Sequence, residues 1–96
     1  HQDGYSRLSN EAVADFLAGI YAGSKGLDSE GFRKFLEDQP HDPDGEYPDG
    51  EDRAKLFMEG YELAESYDYK NFQSVIDSPY FDLNEAVHDV ANRYVC

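Results

Sequence analysis

Apolar side chains recur along much of this chain every three or four residues, the period of a helix with one buried face. Val13, Phe16, Leu17, Ile20 and Tyr21 form the first such stripe, after Ser9 or Asn10, either of which suits an N-cap. Gly23 and Gly26 predict a turn that stops this helix. Asp28 or Ser29 then caps a shorter helix presenting Phe32, Phe35 and Leu36, with Pro40 just beyond its end. A third stripe, Ala54, Phe57, Met58, Tyr61 and Ala64, predicts a helix from near Glu51 to about Ser66, weakened by Gly60 by about 1 kcal/mol relative to Ala. A short fourth helix is expected from Tyr69 to Ile76, burying Phe72, Val75 and Ile76 and broken by Ser78-Pro79. In the last, Asp82 is the N-cap and Glu85 the residue that completes a capping box. Leu83, Ala86, Val87, Val90, Ala91 and Tyr94 follow it at helical period.

Residues 39–50 hold three of the chain's four prolines and two glycines, which predicts a long loop between the second and third helices. No segment alternates in the manner of a strand. The expected fold is therefore all-α, a compact bundle of four or five short helices in one domain spanning 1–96. Residues 1–8 are expected to be poorly ordered. No stretch approaches the roughly 18 apolar residues of a membrane span. With no basic leader either, a cytosolic location fits, the host cell's cytosol if the protein is phage-encoded.

Charge changes the picture most. Asp and Glu number 21 against 8 Lys and Arg, a formal −13 at pH 7. Small soluble domains are well served by a net charge of magnitude about 2–8, so solubility alone does not account for it. Direct binding to nucleic acid or an anionic membrane is disfavoured, because both need a basic surface. The field attracts a basic partner instead. Fourteen of the 96 residues are Tyr or Phe, which separates the chain from disordered acidic tails and supplies core volume. The single cysteine, Cys96, permits no internal disulfide.

Candidate chemistry is thin. Asp42, Asp44 and Glu46 alternate like the first ligands of an EF-hand loop, but Tyr47 replaces its glycine and Arg53 its bidentate glutamate. His1, His41 and His88 have no local companions that would make a zinc site. No nucleophile–base signature, phosphate loop or dinucleotide fingerprint is present, so no catalytic residue, metal or cofactor is expected.

The acids themselves are patterned. From Glu37 to Asp52 there are eight carboxylates and no Lys or Arg. Glu59, Glu62, Glu65 and Asp68 follow at three-residue spacing, and Asp82, Glu85 and Asp89 share a face of the last helix. Neighbouring carboxylates on a helix repel by a few tenths of a kcal/mol each, so three such clusters point to a functional surface. The expected partner-binding residues are Asp42, Asp44, Glu46, Asp49, Glu51, Asp52, Glu59, Glu62, Glu65 and Asp68. Tyr47, Tyr67, Tyr69 and Tyr80 are candidates for adding aromatic contacts. The partner implied is a basic, nucleic-acid-binding protein.

The string Asp82-Leu83-Asn84-Glu85-Ala86-Val87-His88-Asp89-Val90-Ala91-Asn92 resembles a helical segment of the Ocr-like phage antirestriction proteins. That resemblance covers eleven residues. It implies an acidic, helical DNA mimic that blocks restriction enzymes. The expected function is thus an inhibitor that occupies the nucleic-acid groove of a host defence protein, a restriction enzyme (antirestriction) or a CRISPR effector (anti-CRISPR). The alternative is an acidic antitoxin, adaptor or assembly subunit that binds a surface unrelated to nucleic acid.

Overall fold

A computed structural model of the chain describes residues 7–39 and 49–93. Among them are five helices and no strand: α1 (Arg7–Lys25), α2 (Ser29–Glu37), α3 (Gly50–Ser66), α4 (Phe72–Ile76) and α5 (Leu83–Asn92). The all-α bundle expected from the periodicity is the fold. The loop residues Asp42, Asp44, Glu46 and Tyr47, together with His1, His41, Tyr94 and Cys96, lie outside the described residues.

α1 and α3 form the centre. Phe16, Ile20 and Ala12 from α1 meet Leu56 and Ala64 from α3, joined by Val75 of α4 and Val90 of α5. A second cluster unites Ala22, Leu36, Ala54, Phe57 and Tyr61, and so seats α2 on the first half of α3. Three glycines let the two central backbones approach closely. A Cβ on Gly19 would lie 1.9 Å from the Phe57 carbonyl oxygen, one on Gly23 2.5 Å from that of Tyr61, and one on Gly60 2.2 Å from that of Phe16. The Gly60 that costs α3 helix propensity is thus a packing requirement.

Several details correct the sequence reading. α1 already includes Ser9 and Asn10, and Ser9 is fully buried rather than capping. Gly23 lies inside α1; the stop is Gly26 alone, at φ 69°. Leu27 N–H donates to Ala22 O and Gly26 N–H to Gly23 O, the pair of bonds of a Schellman cap. Asp28 does cap α2, accepting from Glu30 N–H. α4 begins at Phe72, not Tyr69, behind an Asn71–Ser74 capping box that takes up the free N–H groups. Asp82 caps α5 as expected, accepting from Glu85 N–H at 3.1 Å, but the Glu85 side chain does not return the bond, so the expected capping box is only half made.

The expected core also needs revision. Tyr21, Phe32, Phe35 and Ile76 are exposed, whereas Leu56 and Gly60 are buried. α3 is covered from two sides, by α1 and α2, so its buried arc is wider than one stripe. Among the described residues α2 packs chiefly on α3, and Leu36 alone of its apolar residues is buried.

Candidate acidic surface

Because α3 is covered on two sides, one solvent-facing arc remains. Helical spacing puts Glu51, Lys55, Glu59, Glu62, Glu65 and Ser66 on it, and all six are exposed. The carboxylates of Glu62 and Glu65 make no ion pair or hydrogen bond among the described residues. Glu51 lies 3.7 Å from Lys55. Glu59 is committed to α5: its two carboxylate oxygens accept from Arg93 Nη1 at 2.9 Å and Nη2 at 2.8 Å. Arg93 Nη2 also donates to Asp89 at 3.1 Å. This strut ties Asp89 and the C-terminal end of α5 to Glu59 of α3. Hydrogen bonding to Glu59 raises the Arg93 guanidinium pKa further above its ordinary range, so it stays charged.

The remaining predicted residues fall around this arc. Asp49 is the exposed N-cap residue of α3 and Asp52 is half-buried. Asp68 ends the helix in the left-handed region at φ 57°, exposed, 2.8 Å from Lys70. Tyr67 is exposed and stacks on Tyr69 with centroids 5.3 Å apart. Tyr69 is half-buried, its hydroxyl donating to Ser78, which removes it from the exposed set. Tyr80 is 82% exposed.

Most cations are held by the protein's own acids. Arg53 pairs with Asp15, Arg93 with Glu59 and Asp89, and Arg33 with Glu30 at 2.9 Å and Glu37 at 2.6 Å. The Arg33 hydrogen bond lowers the Glu30 pKa, which favours its charged form. The described residues carry 17 of the chain's 21 acids and all 8 cations, a net −9. Over the longest dimension, 38 Å of 38 × 31 × 14 Å, that is roughly one net charge per 4 Å, against about 1.7 Å for duplex DNA and 3.4 Å for one of its strands.

Among the described residues, no group of three His, Cys, Asp or Glu side chains converges as a metal ion would require. No helix there is long and apolar enough to cross a membrane. Two features of the surface were missed from sequence. Arg93 is the strut between acidic helices, and its only sequence signal was its i+4 spacing from Asp89. The other is an apolar cleft on the far edge of α2, formed by Gly31, Phe32 and Phe35 with Asp28 at its wall. Comparisons with protein-family models, curated proteins and solved structures give no match to this chain.

Proposed function

We propose that this protein is a non-catalytic acidic inhibitor that occupies the nucleic-acid groove of a basic host defence protein, a restriction enzyme or CRISPR effector. The observation that carries this reading is the solvent-facing arc of α3, where Glu62 and Glu65 stand unpaired beside Glu51 and the strutted Glu59. Packing on two sides fixes the α3 backbone, so only the glutamate side chains remain to be ordered on binding. Lys and Arg that grip phosphates would find carboxylates there instead, and the partner's counterions would be released as they are by a nucleic acid.

The test is capture of partners from a bacterial lysate with the purified chain, eluted in parallel by salt and by excess oligonucleotide. A nucleic-acid-binding protein released by oligonucleotide, and no longer captured by Glu62→Lys/Glu65→Lys, is the expected result. Glu59 is left intact in that variant, because reversing it would also break the Arg93 strut. A partner indifferent to both the oligonucleotide and the double variant would overturn mimicry. The protein would then be an acidic antitoxin, adaptor or assembly subunit, a reading favoured by the exposed aromatic cleft on α2.

A further inference from the structure

α2 has two unlike edges. On one, Glu30, Arg33 and Glu37 form a chain of ion pairs that faces the start of α3. On the other, Phe35 is 63% exposed and Phe32 47%, with Leu27 exposed just before the helix. Phe32 stacks on Phe57 with centroids 5.4 Å apart, so its ring is fixed from behind by the core. Among the described residues Phe35 has no such ring contact. Gly31 opens the space between the two rings and Asp28. One Asp28 oxygen, Oδ1, caps the helix through Glu30 N–H at 3.1 Å. The other, Oδ2, makes no hydrogen bond among the described residues.

We propose that this cleft is the anchoring site for a basic amphipathic segment of a partner protein, which sets an apolar side chain against Phe32 and Phe35 and an arginine on Asp28 Oδ2. Charge selects this occupant. A second copy brings another −13 to the contact, and nucleic acid or an anionic bilayer is repelled by the same field. A cationic segment is drawn in, and its guanidinium can both stack on a phenyl face and pair with a carboxylate. An apolar anchor with a charged rim also supplies what the α3 arc lacks. Exposed ion pairs give about 0–1 kcal/mol each and fade in salt, whereas buried aromatic anchors carry most of the affinity at protein interfaces. The proposal rests on the reading that the partner is basic, and not on mimicry of nucleic acid.

The test uses the full chain and a synthetic peptide of about 15 residues with an amphipathic helical pattern, whose helix is completed on binding because isolated helices of this length are marginal in water. It carries Leu at i, i+3, i+4 and i+7 and Arg elsewhere; a control peptide has every Leu replaced by Ser. Affinity is measured at low salt and at about 1 M salt, where the screening length falls to about 3 Å. The Leu/Arg peptide is expected to keep binding at high salt, and the Ser/Arg peptide to lose it. Phe35→Ser, with unchanged circular dichroism, is expected to weaken the Leu/Arg peptide about tenfold at high salt, and Asp28→Asn to narrow the advantage of the Leu/Arg peptide over one with Lys in place of every Arg. Equal binding of the two peptides, or an unaltered affinity in Phe35→Ser, would overturn the proposal. Self-association of the chain that vanishes in Phe35→Ser would assign the cleft to a second copy and overturn it equally. Because no oligonucleotide competes in this experiment, its failure is separate from a failure of mimicry.

Discussion

Arg53 of α3 reaches across to Asp15 of α1 and binds it in parallel, Nε to Oδ2 at 2.9 Å and Nη2 to Oδ1 at 3.0 Å. The carboxylate is 7% exposed and the guanidinium 23%. Hydrogen bonding to Asp15 raises the Arg53 pKa against the opposing effect of its own burial. Truncating one partner strands the other, so Arg53→Ala is expected to cost about 2–4 kcal/mol, with the partial exposure of Arg53 holding it towards the low end. Asp15→Leu/Arg53→Met, which removes both charges at similar volume, is expected to be close to neutral. Urea unfolding of the three proteins checks this, and a double variant as unstable as Arg53→Ala would contradict it.

Gly60→Ala is expected to destabilise the fold even though alanine is the better helix former by about 1 kcal/mol. The new methyl would stand 2.2 Å from the Phe16 carbonyl oxygen, a backbone atom that cannot swing aside. α1 and α3 must then separate, with a net cost of about 2 kcal/mol or more. Gly19→Ala, at 1.9 Å from the Phe57 carbonyl, is expected to behave alike. Thermal melts of each variant give the sign directly.

These glycines show what was legible in the sequence and what was not. Helix number and approximate bounds followed from apolar period and from caps such as Asp28 and Asp82, because those signals are local. The Gly19–Gly60 approach depends on two helices meeting, and nothing within one helix announces it. The same holds for Phe32 and Phe35. Their spacing matches a buried stripe, yet of α2's apolar residues only Leu36 is buried, because among the described residues α2 packs chiefly on α3. Of the expected acidic site, the α3 carboxylates could be read as one exposed arc. That Glu59 is tied to Arg93 while Glu62 and Glu65 stay unpaired could not, since the strut crosses 34 positions of chain.

Asp68 is the one non-glycine among the described residues at positive φ. It occupies the position after α3 that Gly26 occupies after α1: Asp68 N–H donates to Glu65 O and Tyr69 N–H to Ala64 O. A left-handed conformation costs an L-residue roughly 1–2 kcal/mol, less for Asp. Asp68→Gly is therefore expected to raise stability by about 0.5–1 kcal/mol while removing an exposed carboxylate. If partner affinity drops as the melting temperature rises, Asp68 is held there for its charge; if affinity is unchanged, Asp68 lies outside the contact surface.

Phe32 and Phe35 lie three residues apart on the same exposed edge, and they should respond differently to truncation. Phe32 stacks on buried Phe57 at 5.4 Å, so Phe32→Ala removes a ring contact and uncovers a core residue. A loss of about 1–2 kcal/mol is expected, from the aromatic pair and the area together. Phe35 has its ring in water, and Phe35→Ser is expected to change stability by less than about 0.5 kcal/mol. Denaturant midpoints of the two variants separate these cases. A large loss in Phe35→Ser would mean that its ring already has cover in the folded chain, and the cleft could then no longer be open to a partner. A small loss leaves an exposed phenylalanine that stability does not explain, and binding is the property in which its removal should appear.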